Sequence, residues 1–214
     1  MTRGQQRRKR AFDLFGALLG LILVGWLILI CWVIASLDTR ANGFFRQTRI
    51  GRHGRPFRIV KIRSMRQLPG HDSTVTTSRD ARITRIGQLM RRTKLDELPQ
   101  LWNVLLGQMS FVGPRPDVPG YADALQGEDR EILELRPGIT GPASFALRGE
   151  QELLAKAADP QQYNDEVLWP AKVRLNRRYL REYSFRLDLL LIVATLFPSR
   201  ARWLGDFAEL DLPQ

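Results

Sequence analysis

The chain has 214 residues and a formal net charge of +11, from 33 Lys+Arg against 22 Asp+Glu. One cysteine and two histidines exclude a disulfide framework within the chain and a cysteine- or histidine-rich zinc site. The length accommodates one domain plus a membrane element, and the charge calls for an anionic partner: phospholipid headgroups, nucleic acid or phosphorylated small molecules.

The first element is an apolar run from Ala11 to Leu37 in which Asp13 is the only charge. It is too long for a signal-peptide core, and no small-x-small cleavage site follows it. Its length also argues against reading Arg7-Arg8 as a twin-arginine export signal. The single cysteine, Cys31, lies inside this run and fits a reducing, cytosol-facing location. Arg3, Arg7, Arg8, Lys9 and Arg10 precede the run, while Arg40, Arg46, Arg49, Arg52 and Arg55 follow it. Basic flanks at both ends place both in the cytoplasm, which a straight span cannot satisfy. A re-entrant helix can, with Gly25 as its weak point. The competing reading is a plain span, since ~27 residues at ~1.5 Å each exceed a ~30 Å hydrocarbon core. Gly16 and Gly20 form a small-xxx-small pair that could seat a second copy in a homodimer.

Phe57 to Arg63 alternates apolar and basic residues, a strand-like period of two with its cations expected on one face. Leu68 to Ser78, holding Pro69, Gly70 and His71, reads as a mobile loop. Ile83 to Arg92 has helical spacing. Thr93-x-x-Asp96 then reads as a capping box that places Asp96 and Glu97 at a helix N-terminus, where the positive dipole end lowers a carboxylate pKa. Held among Arg91, Arg92 and Lys94, such a carboxylate stays ionised and can act as nucleophile or metal ligand. Leu98, Leu101, Val104 and Leu105 form the buried stripe of that helix, and Gly107 stops it. Gly113-Pro114-Arg115-Pro116 is a rigid turn presenting one guanidinium suited to phosphate.

Arg136-Pro137-Gly138-Ile139-Thr140-Gly141-Pro142 reads as a second stiff turn carrying an arginine. Glu150 to Ala158 reads as a short helix, and Glu166 to Tyr183 as a longer basic one. Leu187 to Phe197 is apolar except for Asp188 and Thr195, and is too short to span a bilayer. Trp169 and Trp203 are candidate interface anchors, with a core role as the alternative. The expected fold is mainly α with a small α/β element. Residues 1–37 form the basic flank and membrane helix, 38–200 a compact cytosolic catalytic domain associated with the membrane, and 201–214 a tail.

Several of these runs together resemble the monotopic phosphoglycosyl transferases, the bacterial initiating sugar transferases that act on a polyprenol phosphate. The matching runs are Lys9-Arg10-Ala11-Phe12-Asp13, Pro56-Phe57 with Lys61-Ile62-Arg63-Ser64-Met65, Arg82 to Gly87, Leu95 to Pro116, and Arg136 to Gly141. The resemblance implies that Asp96 is the nucleophile toward a UDP-sugar, releasing UMP and leaving a phosphosugar on its carboxylate. Undecaprenyl phosphate then takes up the phosphosugar in a ping-pong reaction. This is the first step of exopolysaccharide, capsule, lipopolysaccharide or other membrane glycan assembly. It further implies that Glu97 completes the dyad and that Mg2+ is held by Asp96 and Glu97. Lys61, Arg91, Arg115 and Arg136 are implied as phosphate- and nucleotide-binding cations. The implied location is the cytoplasmic face of a bacterial inner membrane, in contact with its phospholipid, with no nucleic-acid partner.

The chain departs from the family pattern at several points. Lys94 stands where Ser is common before Leu-Asp-Glu, and Gln108 where Asp is common. Pro142 to Glu150 replaces a Trp-Ala-Gln-Val run with its Asn-Gly-Arg turn, and Asn176 replaces an Asp. These departures mark a subgroup and leave the transferred sugar open. Two other readings remain: a non-catalytic, membrane-anchored basic binding protein, motivated by charge alone, and a scaffolding relative without activity.

Overall fold

A computed structural model of the chain describes residues 1–66, 80–197 and Leu204. The expected loop at Leu68 to Ser78, Trp203 and the tail from Gly205 lie outside the described residues. The architecture is mostly helical with two small two-stranded sheets, as composition and pattern predicted.

The first helix, α1, runs from Arg3–Thr39 and opens on a capping box in which Thr2 and Gln5 exchange hydrogen bonds. It is long and apolar enough to cross a membrane. The helix continues through Gly25 without a break in its secondary structure, so the weak point expected there does not open. Glycine removes helix propensity without removing the backbone hydrogen bond, and the apolar neighbours keep the turn helical.

The domain packs along nearly the whole helix. Lys9 pairs with Asp188 at one end, and Arg66 reaches Asp38 at the other. Ala17, Ile28, Cys31 and Ala35 are buried between these ends, while Phe15, Ile22 and Trp26 are 70%, 69% and 64% exposed. A helix with one face packed and an equally apolar face bare needs a second apolar medium. A Cβ at Gly16 would lie 2.7 Å from Phe111, and one at Gly20 3.1 Å from Leu101. The small-residue seam expected for a homodimer therefore receives side chains of the same chain.

Strands β1 (Phe44–Ile50) and β2 (Pro56–Ile62) form an antiparallel hairpin in register Phe44 to Ile62. Its turn has His53 and Gly54 at positive φ. The cations of β2 do not share a face as expected. Arg58 and Lys61 are three residues apart, and an odd separation puts them on opposite sides of a strand. Arg58 is exposed, while Lys61 follows the face of buried Phe57 and Ile59.

Helix α2 (Arg85–Arg92) is capped by Thr84, whose hydroxyl accepts from the Gly87 amide at 2.8 Å. Helix α3 (Gln100–Leu105) starts just after Pro99 and ends before Gly107, which takes φ +79 as a helix stop should. Asn103 ties α3 to the hairpin. Its Oδ1 accepts from Val60 N at 3.1 Å, and its Nδ2 donates to Arg58 O at 2.8 Å.

Strand β3 (Ser110–Val112) pairs in parallel with β4 (Gly138–Thr140). The Arg136–Pro142 segment, read from sequence as a turn, thus contributes a strand. Its glycines permit the approach: a Cβ on Gly138 would lie 2.2 Å from Gly113 N. Helices α4 (Pro142–Ala146), α5 (Glu150–Lys156), α6 (Pro160–Tyr163), α7 (Trp169–Arg181) and α8 (Phe185–Leu196) complete the order, with a π turn at Asn164–Leu168 before α7. Trp169 packs against Ile50, Ala122 and Leu133, so it belongs to the domain interior.

Candidate active site

The turn between α2 and α3 is built differently from the capping box the sequence predicts. Thr93 Oγ1 donates to Leu89 O at 2.8 Å and to Met90 O at 3.2 Å, so this hydroxyl closes α2 instead of capping α3. Lys94 then takes φ 59, and Leu95–Glu97 form a single 3-10 turn. Asp96 and Glu97 are both buried there, at 7% exposure each.

Two cations from separate elements converge on Glu97. Lys61 of β2 donates to Glu97 Oε1 at 3.1 Å, and Arg115 donates to the same oxygen at 2.9 Å. Arg115 is presented by the turn after β3, held by Gly113 N to Thr140 O at 2.9 Å and Gly138 N to Pro114 O at 2.8 Å. Burial alone would raise the Glu97 pKa. The Arg115 and Lys61 charges outweigh it and hold this carboxyl well below the usual range. In return Glu97 raises the Arg115 pKa, although half-exposure of that guanidinium screens the pair. Burial pushes Lys61 down, against the pull of Glu97.

Asp96 behaves in the opposite way. Its Oδ1 is buried and has no hydrogen-bond partner among the described residues. Burial, then the charge of Glu97, raise its pKa, while Lys61, Arg91 and Lys94 oppose the rise. The sequence predicted a lowered value from the dipole of a helix start. The structure corrects this: Asp96 precedes α3 in a 3-10 turn, and the ion-pairing cations are spent on its neighbour. Arg91 stands behind Asp96 with its Nε donating to Ser64 Oγ at 2.8 Å. Burial lowers its pKa and Asp96 counters that. Gly87 permits this packing, since a Cβ there would lie 2.0 Å from Ser64 O.

Of the residues singled out from sequence, Asp96, Glu97, Lys61, Arg91 and Arg115 form one charge cluster. Arg136 does not join it. Its Nε donates to Gly107 O at 2.9 Å, beside Arg10, which donates to Val104 O and Leu105 O at 2.6 and 2.9 Å. These guanidiniums satisfy the carbonyls at the far end of α3, the ordinary need of a helix C-terminus.

Sequence reasoning missed a second polar group beside Arg115. Asp117, Ser144, Glu150, Lys172 and Asn176 line a narrow cleft there with Arg115 itself. Glu150 accepts from Lys172 at 2.6 Å. Burial pushes Asp117 up to about 6 against Lys172, Arg49 and Arg115, and it lowers Arg49 to about 10 with help from Arg115. Asp117 lies two residues past Arg115 and is the one of these that neighbours a predicted site residue in sequence. The others come from helices far along the chain.

Among the described residues, no group of three or more His, Cys, Asp and Glu side chains could enclose a metal. A hard cation such as Mg2+ commonly uses only one or two carboxylates and completes its shell with substrate phosphate and water. The unpartnered Asp96 Oδ1 suits that role. Glu97 Oε1 is already committed to two cations.

With this geometry in view, the relatives can be placed. The model of the bacterial sugar transferase family matches residues 4–200, and the chain belongs to that family. It is 36% identical to an exopolysaccharide production protein of Rhizobium leguminosarum bv. phaseoli, over 92% of this chain and 97% of that one. It is also 36% identical to a UDP-glucose:undecaprenyl-phosphate glucose-1-phosphate transferase of Escherichia coli K12, over 88% of this chain but 39% of that one. A putative undecaprenyl-phosphate N-acetylgalactosaminyl 1-phosphate transferase of Bacillus subtilis 168 is 40% identical over 56% of this chain and 68% of its own length.

Proposed function

We propose that the protein is a phosphoglycosyl transferase. It moves a sugar 1-phosphate from a UDP-sugar to undecaprenyl phosphate, releases UMP, and so begins assembly of an exopolysaccharide or related membrane glycan. The observation that carries this reading is the unpartnered, buried Asp96 carboxylate beside a Glu97 that two cations already neutralise. A buried carboxylate oxygen without a partner is costly unless a ligand or a reaction uses it.

Asp96 attacks the β-phosphorus of the donor. A carboxylate–phosphorus bond forms, the bond from that phosphorus to the oxygen shared with the α-phosphate breaks, and UMP leaves with that oxygen. A phosphate oxygen of undecaprenyl phosphate then attacks the same phosphorus and frees Asp96, giving the polyprenol diphosphate sugar. Arg115 and Lys61 neutralise charge that develops on the transferring group. Glu97 holds both cations in place, and Arg91 adds a further positive charge near Asp96. Mg2+, held by Asp96 with Glu97 nearby, would supply charge neutralisation to the diphosphate.

The acceptor is a lipid, so the site must sit at a membrane. Two observations support a same-face anchor at the cytoplasmic side of the inner membrane, where the domain meets phospholipid and nucleotide sugars. The domain holds α1 at both ends, through Lys9 and through Asp38, and the opposite face of α1 is bare and apolar. A straight crossing would draw those domain contacts into the bilayer. An α1 seated in one leaflet without crossing to the other avoids this and agrees with the basic flanks.

The test is UMP release by detergent- or nanodisc-held protein with Mg2+ and a panel of UDP-sugars, with and without undecaprenyl phosphate. Release with at least one donor, lost in Asp96→Asn, is expected. Silence across the panel together with salt-dependent binding of DNA or anionic vesicles would favour the basic binding protein instead.

A further inference from the structure

The N-terminal end of α1 gathers three arginines that lie far apart in sequence. Arg10 comes from α1, Arg52 from the turn of the β1–β2 hairpin and Arg136 from the segment before β4. All three are half-buried. Arg10 spends its two terminal nitrogens on the last carbonyls of α3, and Arg136 spends only its Nε, on Gly107 O. Arg52 donates its Nε to Glu134 O at 2.7 Å and its Nη2 to Gln6 Oε1 at 3.3 Å. A guanidinium carries five N–H donors, so both terminal nitrogens of Arg136 and one of Arg52 stay open. None of the three is ion-paired with a carboxylate among the described residues. Burial, then the charge of Arg136, lower the pKa of Arg10 and of Arg52, with Asp13 opposing the first shift and Glu134 the second. Asp13 is engaged by Ser110 and Phe111 N, and the Glu134 side chain is exposed. Three neighbouring guanidiniums with open donors complement an anion with several oxygens, and their planar forks suit phosphate.

Arg10 also stands where the apolar run of α1 begins. Leu14 and Phe15, about a turn further on, are 40% and 70% exposed. α3 lies against α1, with Leu101 at Gly20 and its last carbonyls at Arg10. On its outer side Trp102 and Leu106, four residues apart and so on one face, are 52% and 56% exposed. Bare apolar surface on two helices therefore borders the arginines. A bilayer offers the matching pair, acyl chains beneath a layer of phosphates, negatively charged where the lipids are anionic. A free anion in solution would make no use of the apolar border. The dyad is a separate place: Asp96 precedes α3 and Gly107 follows it, with about 9 Å of helix between them. We propose that Arg10, Arg52 and Arg136 seat the headgroup phosphate of an anionic phospholipid, apart from the dyad, and pin this end of α1 to the membrane surface. The inference rests on the membrane placement proposed above and not on the transfer reaction.

The experiment titrates full-length protein, held in a non-ionic detergent, with dioctanoyl phosphatidylglycerol, dioctanoyl phosphatidylcholine, undecaprenyl phosphate and inorganic phosphate, and reads the dissociation constant of each. Wild type, Arg52→Gln, Arg136→Gln and Arg58→Gln are compared, with melting temperature as the check on folding. Arg58 is exposed on the hairpin, so its variant removes the same charge away from the seat. Wild type is expected to bind phosphatidylglycerol saturably and more tightly than the other three ligands. Arg52→Gln and Arg136→Gln should each weaken that binding by about tenfold, the worth of one charge-assisted hydrogen bond, and Arg58→Gln by less than about twofold. If Arg136→Gln does not fold, Arg52→Gln, in a surface turn, and the wild-type ligand order still decide. Equal binding of phosphatidylglycerol and phosphatidylcholine, or equal weakening by Arg58→Gln, would reduce the seat to diffuse charge and overturn the proposal. Tighter binding of inorganic phosphate would assign the arginines to a soluble anion, and tighter binding of undecaprenyl phosphate, lost in the same variants, to the acceptor; either overturns it. The readout needs no turnover, so failure of the transferase reading would show as absent UMP release with this binding intact.

Discussion

Asp188 and Asp96 are both buried aspartates, and the protein treats them in opposite ways. Asp188 is 1% exposed and fully engaged: Lys9 donates to it at 2.7 Å, Tyr183 at 3.3 Å, and Tyr179 at close range. Asp96 is nearly as buried, yet one of its oxygens has no partner. The first pattern is that of a structural lock, here fastening α1 to α7 and α8. The second leaves a reactive group open for a ligand. Burial of charge alone does not separate the two; the state of the lone pairs does.

The largest effect should come from breaking the open member. Asp96→Asn keeps shape and removes the nucleophile, so UMP release should fall by at least about 10^4-fold. The melting temperature should hold or rise, because a buried ionised group with one unpartnered oxygen is lost. A variant that unfolds, or one that keeps turnover, would remove the distinction drawn here.

Next in size is the engaged member. Lys9→Met leaves Asp188 buried without its cation and should cost about 3–5 kcal/mol of stability. The double change Lys9→Met with Asp188→Leu should recover part of that loss, since matched apolar groups can replace a buried pair. Denaturation in detergent or nanodiscs measures both. If the double variant is no better than the single, the cluster does more than lock the helix.

Arg115→Lys should have a smaller effect. It keeps the charge near Glu97 but loses the guanidinium fork, so kcat/KM for the donor should drop by about tenfold with little change in stability. Half-exposure of Arg115 limits its structural worth.

The contrast also explains how far the sequence could be read. The length and apolarity of α1, the Asp96-Glu97 pair and the Pro-Arg-Pro turn are local features, and each appears in the structure near its expected place. Asp188 stood out in sequence as a charge inside an apolar run, but its partner Lys9 lies 179 residues away and no local pattern links them. The Thr93 capping box failed because two helices competed for one hydroxyl, and the carbonyls of α2 took it. Arg136 sat in a matching run, yet packing turned it to the end of α3. The cleft residues Ser144, Glu150 and Asn176 stood far apart in sequence until α4, α5 and α7 came together.

The subtlest consequence concerns pH. Glu97 is held below the usual carboxylate range, so its stabilising contribution is present above its unfolded pKa of about 4.3 and is lost as pH falls through the lower folded value. Asp96 is shifted upward, so its ionisation opposes folding as pH rises through its folded pKa. The nucleophile must be ionised, and the acid limb of kcat/KM should therefore lie above about 3.9, the value for an unperturbed aspartate. Lys61→Met removes one of the cations that opposes the rise, while Glu97 keeps Arg115. The limb should then move further toward neutral pH, in addition to any loss of maximal rate. A limb that moves down, or stays fixed while the maximal rate falls, would mean that Asp96 does not set the acid side of the profile.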